Sequence, residues 1–281
     1  MRPSAGPEAL AIQGDSMGTS DENIFCQLAS GSKGNALYVR GTDSAVLIDC
    51  GLSGKELARR MELRELDPAS LSAVVVSHEH TDHVGGVGVI CRRYKIPLYI
   101  TEATCGESLK KLGKTNDMDI QFMECGRRFS VGSMEIHPFS ISHDAADASG
   151  FRIITKGSVL GVATDLGVAS HLVKEHLSGC DALVLEANHD PELLTANPNY
   201  PWALKQRVRS RVGHLSNEES ATLLDELDRS RLKHLVLAHL SEENNTPDMA
   251  LAAAYNVLNG TNTSITVASQ HTPAPLLSFA N

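Results

Sequence analysis

Val74-Val75-Val76-Ser77-His78-Glu79-His80-Thr81-Asp82-His83-Val84-Gly85-Gly86 joins an apolar run to a histidine-rich turn. Its three β-branched residues end a fully buried strand. The strand stops at a polar turn that holds three imidazoles and two carboxylates within six residues. Two glycines then let the backbone turn close to whatever the site holds. His78 and His80 are two apart, so in extended chain both rings point to one side. Asp82 and His83 open a helix expected over 81–94 and approach from another direction. Two ligand pairs from one turn point to two adjacent divalent metal ions. Imidazole with carboxylate suits zinc and also admits manganese or iron. A solvated charged turn explains the stretch poorly, because nothing makes such a turn histidine-rich directly after a buried strand.

Outward from this motif the pattern is strand-like in both directions. Strands are expected over 24–28, 35–40, 44–50 and 71–77, with a Gly- and Ser-dense turn at 29–35. Helices are expected over 54–63 and 102–112, and a short strand over 98–101. Further strands fall at 120–124, 134–140, 150–155, 158–163, 182–185 and 235–238. Helices follow at 201–212, 217–227 and 247–258, the second capped by Ser216 or Asn217. The early strands run as a meander and the later ones alternate with helices. That mixture gives an α/β fold class: two mixed sheets face to face with helices outside.

The chain has 281 residues, 42% hydrophobic and 21% charged, which is ordinary for a globular enzyme. One hydrolase domain over 23–270 is expected, because the candidate ligands come from both halves and must converge. Residues 1–22, rich in Gly, Pro, Ser, Asp and Glu, read as a disordered extension, in which Met17 is an alternative start. Residues 271–281 read as a loose tail. No run of about 18 apolar residues exists to span a membrane. The formal net charge of −9 argues against non-specific wrapping of nucleic acid by the whole surface, though not against a local basic groove. Six scattered cysteines without a CxxC pair suggest reduced thiols and a cytoplasmic protein.

Two ions held by the motif alone would lack ligands, so others are expected at further strand ends. His143, Asp165 and His239 each stand just beyond an apolar run. His78, His80 and His143 are assigned to one ion, and Asp82, His83 and His239 to the other. Asp165 bridges the pair, since one carboxylate can span cations about 3.5–4 Å apart. The open position between the ions takes a bridging hydroxide as nucleophile, available at neutral pH because bound water ionises near a pKa of about 7. Asp49 ends the strand Val46-Leu47-Ile48; a buried carboxylate needs a partner, and the second ring N–H of a ligand histidine is the expected one.

With these residues in place the chain resembles a metallo-β-lactamase-fold hydrolase: HxHxDH, a single His, a bridging Asp and a final His, in that order, with an Asp on an early strand. The resemblance covers 24–267 and implies a four-layer αββα sandwich with the site at the sheet edges. Ser142-His143-Asp144-Ala145, Glu186-Ala187-Asn188-His189-Asp190, Gly213-His214-Leu215-Ser216-Asn217 and His239-Leu240-Ser241-Glu242-Glu243-Asn244-Asn245 are similar to the YycJ/WalJ-type branch. That similarity implies 5′-to-3′ exonuclease activity on double-stranded DNA. The interval from Asp165 to His239 leaves no room for the inserted cap domain of RNA-cleaving β-CASP nucleases.

Two dications clamp the attacking and leaving oxygens of an in-line displacement, which suits phosphodiesters. Asp82, Asp165 and His214 are expected at the chemistry, with His214 contacting a phosphate oxygen or protonating the leaving alkoxide. His189 is expected beside the ligands. Arg207, Arg211 and Asn217 are expected to touch substrate, in a run (Lys205, Arg207, Arg209, Arg211) that otherwise reads as a solvated helix. The alternative enzyme is a glyoxalase-II-like thioesterase or a lactonase, using the same hydroxide on a carbonyl and marked by an apolar pocket. A flavin-linked di-iron redox protein fits less well, because such relatives carry Glu where this chain keeps His80. Nothing in the sequence names a protein partner.

Overall fold

A computed structural model describes residues 23–280. The disordered extension expected at 1–22, Met17 included, lies outside the described residues.

The first sheet holds β1 (Ile24–Ala29), β2 (Ala36–Arg40), β3 (Ala45–Ile48), β4 (Ala73–Val75), β5 (Leu98–Ile100) and β6 (Ile120–Phe122). The second holds β7 (Phe129–Val131), β8 (Met134–Ser140), β9 (Ser149–Thr155), β10 (Ser158–Ala163), β11 (Ala182–Glu186), β12 (His234–Ala238) and β13 (Ser264–Val267). A last strand, β14 (Leu277–Ser278), returns to the first sheet, whose order is β14-β1-β2-β3-β4-β5-β6. The second runs β13-β12-β11-β10-β9-β8-β7. Each sheet begins as an antiparallel meander and becomes parallel, from β3 to β6 and from β10 to β13. Parallel pairing brings the carboxyl ends of neighbouring strands to one edge, where side chains just past those ends can meet.

The helices are α1 (Gly54–Glu62), α2 (Thr81–Val84), α3 (Val87–Tyr94), α4 (Glu102–Leu112), α5 (His171–Leu177), α6 (Pro191–Ala196), α7 (Trp202–Val208), α8 (Asn217–Glu226) and α9 (Pro247–Leu258). Period-2 alternation sorts each strand's side chains between two layers. Leu37, Val39, Val46 and Ile48 point to the core between the sheets, where they meet Ile136, Phe151, Ile153, Leu160 and Val184. Their neighbours Ala36, Tyr38, Ala45 and Leu47 pack against Leu57 and Met61 of α1 and Ile90 of α3. Leu183, Leu185, Leu235 and Leu237 pack against Val173, Leu223, Leu224 and Ala254 on the other side. Both faces of both sheets are therefore covered, giving four αββα layers. It is also why these strands read as continuous apolar runs.

Three local expectations are corrected. The helix expected over 81–94 is broken into α2 and α3 at Gly85-Gly86, where the chain presses on the end of β3: a Cβ on Gly86 would stand 2.0 Å from the Leu52 carbonyl oxygen. The helix expected over 201–212 ends at Val208. The expected loose tail is docked: Leu277 and Ser278 pair with Phe25 and Ile24, and Phe279 is fully buried against Phe25.

Candidate metal centre

The seven side chains assigned as ligands converge at the edge where the parallel halves of the two sheets meet. His78 and His80 come from the turn after β4, Asp82 and His83 from α2, and His143 from the loop after β8. Asp165 follows β10 and His239 follows β12. Asp49, Asp165 and His239 all have left-handed backbone, with φ of 61°, 60° and 57°. Non-glycine residues rarely adopt this conformation, which costs on the order of 1–3 kcal/mol each and persists where surroundings enforce it. Here it turns the side chain at the strand end into the cluster. Gly51 permits a second close approach: a Cβ there would lie 1.6 Å from the Asp82 carbonyl oxygen, so only glycine lets β3's exit pass under α2.

Each imidazole but one is gripped on Nδ1. His83 Nδ1 lies 2.8 Å from Asp49 Oδ2. His78 Nδ1 lies 3.0 Å from the Ser77 hydroxyl, which Asp49 holds in turn at 2.8 Å. His143 Nδ1 faces the Gly213 carbonyl at 3.2 Å, and His239 Nδ1 faces Glu186 Oε1 at 3.2 Å. A proton kept on Nδ1 leaves the Nε2 lone pair for the centre. The inward-facing ring nitrogens crowd together with the carboxylate oxygens. His80 Nδ1 stands 3.1 Å from His78 Nε2 and 3.3 Å from His143 Nε2. His83 Nε2 is 3.3 Å from Asp165 Oδ2 and 3.4 Å from Asp82 Oδ2, and His239 Nε2 is 3.4 Å from Asp165 Oδ1.

These separations match a metal's coordination edges. Four ligands about 2.0–2.1 Å from a tetrahedral ion lie roughly 3.3–3.4 Å apart. Asp165 Oδ2 and His239 Nε2 are buried with no hydrogen-bond partner, as atoms reserved for a cation are. The donor atoms form overlapping sets: His78, His80 and His143; Asp82, His83 and His239; His78, His83 and Asp165; and Asp165, Glu186, His214 and His239. The residues present therefore fit divalent metal.

Electrostatics agree. Burial penalises a charged His239, yet Asp165, Asp82 and Glu186 outweigh it and raise its pKa to about 10. Burial likewise opposes charge on His83, and Asp165 and Asp49 overcome it, holding that pKa well above the ordinary range. Burial would raise Asp165, but His239 and His83 pull it well below the usual carboxylate range. Burial and then the neighbouring His83 push His78 well down. The carboxylates thus concentrate negative charge in a dry site, a demand that a dication meets directly.

Glu186, the last residue of β11, is a buried carboxylate at the cluster that its sequence context did not single out. It is fully buried, and its Oε1 lies 2.8 Å from His214 Nδ1. Its Oε2 accepts the Leu166 and Leu215 backbone N–H groups at 2.8 and 3.0 Å. It thereby ties the Asp165 turn, His214 and His239 together. Burial raises its pKa, but the His214 and His239 rings prevail and take it down to about 2. The signal was available: a carboxylate ending the apolar run Ala182-Leu183-Val184-Leu185 must find a partner.

The other expected site residues divide. His214 stands at the rim of the cluster, partly exposed, its ring 5.2 Å from those of His143 and His239. Arg207 is beside it: a cavity of about 110 Å³ is lined by His143, Asp144, Leu204, Arg207, Val208 and His214, and Arg207 Nε donates to Asp144 Oδ2 at 2.7 Å. Arg211 braces the site through its backbone, its carbonyl accepting the Ser142 hydroxyl while its side chain is exposed. One expectation is corrected. Asn217 is buried and paired with Asn245 at 2.9 Å, away from the rim, because the first turn of α8 packs inward. His189 is buried beside Ser216 with Nδ1 unpartnered, and burial pushes its pKa down against the pull of the Glu186 carboxylate. Asn35 was not foreseen either; its Nδ2 lies 2.9 Å from His83 Nε2 and 3.1 Å from Asp82 Oδ2.

Known proteins fit this geometry. A family model described as "Beta-lactamase superfamily domain" matches residues 44–240. The chain is 36% identical over 234 residues to "Exodeoxyribonuclease YycJ" of Bacillus anthracis, spanning 83% of this chain and 88% of that protein. It is 37% identical over 233 residues to "Exodeoxyribonuclease WalJ" of Streptococcus pneumoniae, spanning 82% and 86%. Among solved structures, the metallo-beta-lactamase fold protein YhfI from Bacillus subtilis superposes with a TM-score of 0.70 at 16% identity, over 92% of this chain and 100% of that one, a likeness of fold alone.

Proposed function

Because the chain belongs to the beta-lactamase superfamily, in the family of the YycJ and WalJ proteins, we propose that it is a metal-dependent nuclease acting on DNA, a 5′-to-3′ exonuclease. The observation that carries this reading is the convergence of seven metal-type ligands with a carboxylate-held histidine at their rim. The relatives named exodeoxyribonucleases support DNA as the substrate.

His78, His80 and His143 would hold one ion and Asp82, His83 and His239 the other, with Asp165 between them. Zinc or manganese suits this donor set and iron is admitted. When bound, the ions supply Lewis acidity toward phosphoryl oxygens and a water ionised near neutral pH. The protein's own groups do the rest. Asp49 and Ser77 fix the tautomers of His83 and His78, so ligand geometry is set before substrate arrives. Glu186 holds His214 through Nδ1, leaving Nε2 to carry a proton to the departing alkoxide oxygen. Arg207, at the cavity wall beside His143 and His214, offers a fixed guanidinium to a phosphate.

The thioesterase reading lacks support beside the cluster. The adjoining cavity of about 110 Å³ falls below the ~300–1,000 Å³ of typical small-molecule pockets, and a guanidinium lines it. All six cysteines are free, as suits the reducing cytoplasm in which we place the protein. Among the described residues no helix is long and apolar enough to cross a membrane. The test is 5′-labelled duplex DNA incubated with manganese- or zinc-loaded protein. Stepwise release of the labelled end supports the reading; intact DNA with both metals, alongside thioester hydrolysis, rejects it.

A further inference from the structure

Helix α7 is unlike the other helices in what it leaves uncovered. None of its residues is buried. An ordinary surface helix buries an apolar stripe, so a helix without one needs another reason to present its face. Leu204, Arg207 and Val208, at i, i+3 and i+4, turn toward the small cavity beside His143 and His214. The opposite face carries Trp202, Gln206 and Arg209, at i, i+4 and i+7. Trp202 is the chain's only tryptophan and is 67% exposed. Among the described residues it is the most exposed of the large apolar side chains, on the helix that lines the cavity beside the cluster.

Charge sets the partner. Residues 193–217 contain no Asp or Glu and hold Lys205, Arg207, Arg209 and Arg211, in a chain whose net charge is −9. Arg207 is ion-paired with Asp144, whereas Arg209 reaches only the Thr195 hydroxyl at 3.5 Å and Arg211 leaves its guanidinium exposed. Lys205 donates to the Thr195 carbonyl and ties α7 to α6. A basic strip bearing an exposed aromatic is complementary to single-stranded nucleic acid: phosphates meet the guanidiniums and a base stacks on the ring.

We propose that α7 is the docking helix for substrate DNA, with Trp202 stacking on an unpaired base of the strand that enters the metal centre and Arg209 and Arg211 holding its phosphates. This deepens the nuclease reading and rests on it. A paired base cannot present its face to an indole, so the helix favours frayed or overhanging ends over blunt duplex.

The experiment uses the full chain loaded with manganese. The probe is a 5′-phosphorylated duplex with a single-stranded 5′ overhang whose terminal linkages are phosphorothioates, which slows hydrolysis. Trp202 emission reports its own contact without any label. Quenching on DNA addition is expected, with W202A weakening binding by about 5- to 100-fold and W202F recovering most of that loss. Each of R209A and R211A is expected to reduce the slope of log affinity against log salt by about one. Unchanged emission at DNA saturation, judged by anisotropy of labelled DNA, overturns the proposal, as does wild-type affinity in W202A. Emission that shifts with protein concentration and ignores DNA assigns the face to a second copy of the chain and also overturns it. Cleavage of duplex DNA with a silent Trp202 removes the docking helix alone; absence of both binding and cleavage removes the nuclease reading with it.

Discussion

Glu186 and His214, 28 residues apart in sequence, meet at 2.8 Å at the rim of the histidine cluster, and the same Glu186 oxygen lies 3.2 Å from His239. One buried carboxylate thus links a histidine inside the cluster to the histidine facing solvent. Removing its charge should loosen both, but the two losses are separable by what is measured.

Glu186→Gln keeps the shape and removes the charge. It is expected to lower turnover of duplex DNA by about 10²–10⁴-fold, the range of a lost general acid, as is His214→Ala. H214A should retain its metals on dialysis, because His214 is held at the rim. Pre-steady-state cleavage of labelled DNA, with metal content measured on the same samples, checks both.

Asp165→Ala and His80→Ala are expected to abolish activity while the fold survives, since the surrounding core is built by other residues. In D165A the His83 and His239 rings lose the carboxylate both of them face. Circular dichroism with a nuclease assay decides: a cooperative melt without cleavage is expected, and preserved turnover in either variant would contradict the ligand assignment.

Asp49 acts through His83. Asp49→Asn replaces a carboxylate that accepts from the Ser77 amide, the Ser77 hydroxyl and the His83 ring. Metal affinity is expected to fall by about 10- to 100-fold, the usual cost of losing a carboxylate behind a ligand histidine. Gly51→Ala should do worse, because its methyl group would collide with the Asp82 carbonyl at 1.6 Å. Competition with a chromophoric chelator measures both.

Away from the site, Glu56 provides an acid-stability test. Its carboxylate holds Arg59 and the buried Arg60, whose guanidinium also donates to the Leu28 and Gln270 carbonyls. Hydrogen bonds from Arg59 and Arg60 take the Glu56 pKa from 4.5 to about 2. A depressed carboxylate stabilises the fold above its unfolded pKa, and that contribution fades as pH falls toward the folded value. Glu56→Gln is therefore expected to destabilise by only about 0.5–1 kcal/mol at neutral pH, since solvent screens a pair this exposed. The gap from wild type should close as pH drops toward 2. Denaturant unfolding across that pH range tests it.

Sequence carried the site further than it carried the chain's path. The clustering of His78 to His83 was readable because these side chains are contiguous and follow an apolar strand. His143, Asp165 and His239 were readable because parallel strands place their carboxyl ends on one edge. Glu186 escaped because its letters resemble a strand-end turn, and only the fold shows its carboxylate pointing inward to His214. Asn217 looked available beside His214, yet the capping of α8 by Ser216 rotates it onto Asn245. The break between α2 and α3 depends on how closely Gly86 approaches Leu52, and the docking of β14 on β1 depends on a partner some 250 residues earlier in the chain. Local periodicity carries neither contact.

These side chains are expected to cage a pair of cations, and counting the ions bears on that most directly. Elemental analysis of the purified, active chain after exhaustive dialysis is expected to give two divalent ions per chain, falling below two in Asp165→Ala. A stoichiometry of one in fully active protein, unchanged when Asp165 is replaced, would contradict it.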